Sequence, residues 1–267
     1  MRPVDFHVHF FPEGIAAKVV GFLAAHYGIP VNYRGVKEEY LELAREAGVQ
    51  TAVFSTAATR PDQVNTANDW ALANRDNGLI PFGTLHPHSE VVEIDAELAR
   101  LRAAGIKGIK LHPDFQYFNL DEDRALVLYE RLAGDFVVLL HVGDDETPDK
   151  VNYATPEKLA RVLDLLPGLT VIAAHMGGYQ MWDRAMNALV GRDVFFDTSS
   201  SLDFLPDERF VRMVREHGID RILMGSDYPF RDPGWEVDRL MNLGLSVDEL
   251  EAIVYRNGSR LLAGMGL

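Results

Sequence analysis

FVVLLH, residues 136–141, runs five apolar side chains together without alternation and then stops on a histidine. A strand wetted on one face alternates apolar with polar residues. One that is apolar throughout is covered on both faces, as strands of a parallel sheet with helical crossovers are. LTVIAAH, 169–175, repeats the pattern. Working outward, short β-branched and aromatic runs recur at PVDFHVH (3–9), VQTAVFS (49–55), LIPFGTL (79–85), IKGIKLH (106–112), DVFFDTS (193–199) and DRILMGSD (220–227), eight in all. Between them the apolar spacing is helical over 36–47, 89–104, 124–133, 156–166 and 206–217, with Gly48, Gly105, Gly134 and Gly218 as stops. Thr155-Pro156 reads as an N-cap with proline at the first helical position, and Ser246 with Glu249 has capping-box spacing before the last helix.

Eight alternating strand and helix units predict an α/β chain of the (β/α)8 barrel class, the TIM barrel, slightly distorted and ending in a C-terminal helix. The alternative, an open doubly wound sheet, calls for a Gly-rich phosphate turn after the first strand, where this chain has HVHFFPEG instead. No linker or composition shift divides the chain, so one domain is expected over 1–267.

The 267 residues are 47% hydrophobic and 25% charged, enough for a sizeable core. Lys and Arg number 26 against 40 Asp and Glu, a net charge of −14 that repels nucleic acid and anionic membranes. With no cysteine, disulfides, thiolate metal sites, iron–sulfur clusters and a cysteine nucleophile are excluded, so any metal sits on His, Asp, Glu or Lys. MRPVDFHVHFFPEG lacks the pattern of a signal peptide, and no apolar run approaches a membrane span. The expectation is a cytoplasmic protein acting on a small molecule, with homo-oligomerisation open.

In such a barrel the catalytic groups sit at the C-terminal ends of the strands. Strand one ends Asp5-Phe6-His7-Val8-His9, strand four Lys110-Leu111-His112-Pro113, strand five at His141, strand six at His175 and strand eight at Asp227. His7 and His9, two apart, point to one side of an extended strand and can share a cation. An isolated pair of that kind is more often a hydrogen-bonded surface feature, and His86-Pro87-His88 is read so, as a loop or pocket rim. Convergence with His141, His175 and Asp227 favours a metal site for the first pair. Neutral imidazoles and a carboxylate suit Zn2+, with Mn2+ or Fe2+ as alternatives. For His175, ligation and substrate polarisation stand equal. Asp227 lies in a Tyr-Pro context that suits a catalytic carboxylate better than a helix cap. Lys110 is an exposed strand-end lysine, a clamp for a substrate carboxylate, or a carbamylated bridge between two metals; His112, on the same face, is a metal-bridging or substrate-binding candidate beside it or does no more than line the pocket. Loops Gln116 to Asn119 and Asp144 to Glu146 shape specificity or are ordinary solvated connections, Tyr228 and Phe230 pack a planar substrate or are structural packing near the barrel mouth, and His26 and His217 are surface or cap residues.

These residues in this order, DFHVH (5–9), GIKLHP (108–113), LLHVG (139–143), AAHMGG (173–178), GSDYP (225–229) and IVYRNGSRLL (253–262), resemble the amidohydrolase superfamily. The likeness is to its amidohydrolase-related branch of metal-dependent barrel hydrolases and decarboxylases, over nearly the whole chain. The resemblance implies that His7, His9 and His141 bind metal and that Asp227 binds or faces it and acts as base. It also implies that His175 touches metal, water or substrate, that Lys110 fits the position carbamylated in binuclear members, and that one ion is commoner in this branch than two. Asn257-Gly258 departs from the usual Asn-Ala, and the short chain lacks the long insertions of several decarboxylases.

The leading expectation is hydrolysis of an ester, lactone or amide by water acidified at the metal, with Asp227 as proton acceptor. Two alternatives stand beside it. One is non-oxidative decarboxylation of an aromatic or unsaturated acid, with Lys110, Arg60 or Arg231 as carboxylate clamp. The other is a binding protein with a degenerate site.

Overall fold

The computed structural model describes residues 2–144 and 151–267, so Asp145 and Glu146 lie outside the described residues. Eight strands, β1 Val4–Val8, β2 Thr51–Ser55, β3 Leu79–Thr84, β4 Gly108–Leu111, β5 Val137–Leu140, β6 Thr170–Ala173, β7 Phe195–Asp197 and β8 Ile222–Leu223, form one sheet in chain order. The pairs β1–β2, β3–β4, β4–β5, β5–β6 and β7–β8 are parallel. Around β8 the backbone returns to β1: Phe6 N donates to Met224 O, His9 N to Tyr228 O and Asp227 N to His7 O, each at 2.8 Å. The last strand thus joins the first, which is the closure that defines a (β/α)8 barrel. The four stop glycines all take positive φ, between 71° and 106°. Among the described residues no helix is long and apolar enough to cross a membrane.

By packing, the chain falls into two compact units: Met1–Phe54, Gly78–Ile80 and Val190–Leu267 in the first, Ser55–Asn77 and Pro81–Leu189 in the second. In the first unit the shortest strand, β8, is held by the tail. Asn257 Nδ2 donates to Ile219 O at 2.7 Å and to Ile222 O at 2.8 Å, straight after a π-helical turn over Ala252–Arg256. The C-terminal helix Asn257–Gly264 then lies on β1. A Cβ on Gly258 would stand 2.9 Å from the Phe6 ring and 3.1 Å from Val4, which gives the departure from Asn-Ala its reason. Gly258→Ala is therefore expected to cost about 1–3 kcal/mol by overpacking, read as a lower thermal midpoint. Phe6→Leu in the same chain should recover part of it.

In this unit one sequence alternative is decided and one expectation corrected. Tyr228 is fully buried, edge-on to Tyr40 at 5.3 Å, with its hydroxyl donating to Glu39 Oε2 at 2.6 Å, so it belongs to the core and packs no substrate. His217 is buried rather than a surface cap. It stacks on Phe196 at 3.9 Å, its Nε2–H donates to Val194 O at 2.8 Å, and Nδ1 accepts from Gly191 N at 3.3 Å. The helical spacing read correctly, but Asp207–His217 turns this last residue inward.

Burial, aided by the charge of Arg221, lowers the His217 pKa from 6.5 to about 4. The unfolded chain then binds the extra proton between those values, so this stabilisation is complete above pH 6.5 and is lost as pH falls toward 4. The span corresponds to about 3 kcal/mol. Denaturant titrations from pH 7 to 4.5 should show a shallower decline for His217→Phe than for the unaltered chain.

In the second unit β4, β5 and β6 pair residue for residue, Gly108 to Leu111 against Val137 to Leu140 and these against Thr170 to Ala173. Thr155 caps the helix Pro156–Leu165 as its sequence implied, accepting from Lys158 N. Gln116 is a pin rather than a specificity residue: it is buried, accepts from His112 N at 2.9 Å and donates to Ala58 O and Leu85 O at 2.8 and 2.7 Å.

Candidate metal centre

The first unit builds its site where β1 and β8 end. β1 carries a bulge between Asp5 and Val8, three steps against two on β2, and bulges re-aim side chains near functional sites. His7 Nε2 and His9 Nε2 come to 3.0 Å, with the rings edge-on. Asp227 Oδ1 stands 3.6 Å from each of those nitrogens. His7, His9 and Asp227 thus offer two imidazole nitrogens and a carboxylate oxygen, all within 4.8 Å of one another. That donor set fits Zn2+, Mn2+ or Fe2+ without a thiolate.

Asp227 sits in the left-handed region at φ 57°, and so does Ser200 at φ 47°, whose hydroxyl donates to Asp227 Oδ2 at 2.5 Å. Such conformations cost on the order of 1 kcal/mol each outside glycine and concentrate at functional sites. Beneath them Asp5 ties the two strands: it accepts from Ser226 N at 2.9 Å, Ser226 Oγ at 2.6 Å and Tyr40 at 3.1 Å. Burial, opposed by those hydrogen bonds, raises its pKa to about 6.

Two residues that sequence reasoning passed over belong here. Asp197, the last residue of β7, accepts from His7 Nδ1 at 2.9 Å, and Ser199 Oγ lies 3.0 Å from the same nitrogen. Asp197 closes an apolar run, VFFD, just as the selected histidines do.

In the second unit His141 Nδ1 lies 3.1 Å from His175 Nε2, past the ends of β5 and β6. His175 and Met176 have φ of 60° and 53°, and Trp182 Nε1 donates to His175 O at 3.0 Å, fixing that turn. His112 stacks on His141 at 4.1 Å on one side and on Phe115 at 4.1 Å on the other, and caps the turn Pro113–Gln116. Lys110 is buried in β4, which removes the exposed-lysine reading. His86 is buried, and burial, with the neighbouring His88, lowers its pKa to about 4. His88 pairs with Glu122 at 3.1 Å. Arg60 is exposed and paired with Asp62, while Arg231 pairs with Asp203 at 2.5 Å.

The model of the Amidohydrolase family (Amidohydro_2) matches residues 4–263. The chain belongs to the amidohydrolase family. Its members are enzymes, hydrolases or decarboxylases. No curated protein matches this amidohydrolase. Among solved structures it is similar to an uncharacterised TIM-barrel protein from Bordetella bronchiseptica, at 20% identity over 100% of both chains with a TM-score of 0.80. A dihydroxybenzoic acid decarboxylase from a Polaromonas species, with bound manganese and the inhibitor 2-nitroresorcinol, is 16% identical over 98% of this chain and 97% of its own, TM-score 0.71. A candidate 2-pyrone-4,6-dicarboxylic acid hydrolase from Pseudomonas putida is 19% identical over 100% of this amidohydrolase and 98% of its own chain, TM-score 0.66. At such identities the likeness is one of fold.

Proposed function

We infer that this amidohydrolase is a metal-dependent hydrolase that opens an ester, lactone or amide of a small organic acid. The observation that carries the reading is the placement of Asp227: one carboxylate oxygen faces both imidazole nitrogens of His7 and His9, and the other is tethered by Ser200. His7, His9 and Asp227 would hold a single divalent cation, Zn2+ first and Mn2+ or Fe2+ as substitutes. When bound, the cation supplies Lewis acidity and brings the pKa of water down toward about 7. Asp227 Oδ1 accepts the proton of the attacking water and returns it to the leaving group, while Ser200 keeps Oδ2 from swinging away.

Of the three side chains expected to clamp a carboxylate, Arg60 is engaged by Asp62 and Arg231 by Asp203, and the third, Lys110, is buried in β4, so hydrolysis is placed ahead of decarboxylation. The candidate 2-pyrone-4,6-dicarboxylic acid hydrolase similar in fold makes unsaturated lactone acids the first substrates to try. The test is to load the purified protein with Zn2+ or Mn2+ and offer such lactones beside 2,6-dihydroxybenzoate. Acid release in a pH-stat without CO2 is expected. CO2 release from the benzoate, with the lactones untouched, would overturn hydrolysis in favour of decarboxylation.

A further inference from the structure

We propose that Asp197, at the end of β7, is a positioning residue for the metal centre: it holds the Nδ1 proton of His7 and thereby commits Nε2 of that ring to the cation. The inference rests on the metal reading above. Asp197 is fully buried, as is His7, and its Oδ2 lies 2.9 Å from His7 Nδ1. Its other oxygen accepts from Ser199 N at 3.2 Å and from Ser199 Oγ in a shorter bond. The two donors of Ser199 converging on Oδ1 are the surroundings of a carboxylate, which only accepts, so the proton shared across Oδ2 and Nδ1 belongs to the ring. Because the Ser199 hydroxyl proton is spent on Asp197, the oxygen of that hydroxyl, 3.0 Å from Nδ1, is a second acceptor for the same N–H.

A neutral imidazole protonated at Nδ1 has a bare Nε2. That nitrogen is the one facing His9 Nε2 at 3.0 Å and Asp227 Oδ1 at 3.6 Å. The fold leaves room for this arrangement at Gly225, where a Cβ would stand 2.8 Å from His7 Cβ, 3.4 Å from Ser199 Cβ and 3.5 Å from Asp197 Cβ. The glycine of the GSD motif is therefore where ligand and support close on each other. Loss of a carboxylate behind a ligating histidine typically weakens metal binding 10- to 100-fold, because ring orientation, tautomer and basicity are all set from behind.

The experiment combines two readouts, neither of which is activity. Long-range 15N–1H spectra of the metal-free protein give the tautomer of His7, and competition against a chelator gives the Zn2+ affinity. The unaltered chain is expected to show His7 protonated at Nδ1. Asp197→Ala, which removes acceptor and charge, should mix the tautomers and weaken Zn2+ binding about 10- to 100-fold. Asp197→Asn keeps an acceptor and should retain the tautomer while recovering part of the affinity, a graded response that a purely structural role does not produce. A His7 protonated at Nε2 in the unaltered chain, or Zn2+ bound equally tightly by all three proteins, overturns the proposal. So does X-ray absorption showing one oxygen ligand fewer in Asp197→Ala, since Asp197 would then be a ligand. If the unaltered chain binds no Zn2+, the metal reading fails by itself and the tautomer still decides the role of Asp197. Should Asp197→Ala not fold, Ser199→Ala is expected to weaken Zn2+ binding by less than about tenfold, and an unchanged affinity there overturns the arrangement.

Discussion

Asp227→Asn is expected to lower turnover about a thousandfold, within the range general acid–base groups contribute, while the Michaelis constant for a lactone substrate moves little. Asparagine is nearly isosteric and is among the few residues that tolerate the left-handed backbone Asp227 adopts at φ 57°, so the loop after β8 keeps its shape. The amide oxygen can still accept from Ser200, and the amide can still face His7 and His9. What it cannot do is take a proton, and that is the step assigned to Oδ1. Steady-state kinetics paired with elemental analysis separates this from a ligand role. If metal content falls in step with turnover, and excess Zn2+ restores both, Asp227 serves as a ligand alone and the base assignment is wrong.

What could be read from the chain follows from which physical signals are local. All eight strands were legible as short β-branched and aromatic runs at regular intervals, and FVVLL and TVIAA, unbroken because both faces are buried, each became a strand where expected. The helix Glu13–Tyr27 was not legible: apart from Glu13, Lys18 and His26 it is nearly all apolar or small, so its sequence shows no polar face to contrast with a buried one, and only Ala16 and Leu23 are buried. The histidines stood out as rare polar endings on apolar strands. Asp197 has the same setting but was passed over, since an aspartate before Thr-Ser reads as an ordinary turn; its meaning comes from His7, 190 residues away. For Tyr228 the sequence left substrate packing and structural packing open, and the second holds. Its neighbour Asp227 faces the site, yet the backbone reverses there and sends the tyrosine down to Tyr40 and Glu39.

Removing the metal is expected to lower the thermal midpoint by roughly 10 °C as well as abolish activity. A ligand present at a thousand times its dissociation constant stabilises the folded state by about 4 kcal/mol, and in a chain of this size each kcal/mol is worth about 2–4 °C. Differential scanning calorimetry with and without a chelator measures the shift, and Zn2+ or Mn2+ added back should reverse it. His9→Ala is the informative variant. The His9 side chain is 18% exposed, so it can be removed with little cost to the core, whereas removing the ring of His7 would leave Asp197 buried beside a cavity. The variant should melt close to the metal-free midpoint and hardly respond to added metal. An unaltered protein whose midpoint is the same with metal and with chelator would show that the three donors stand together without binding a cation. The metal-dependent reading of the reaction would then fail, whatever substrate the protein turned over.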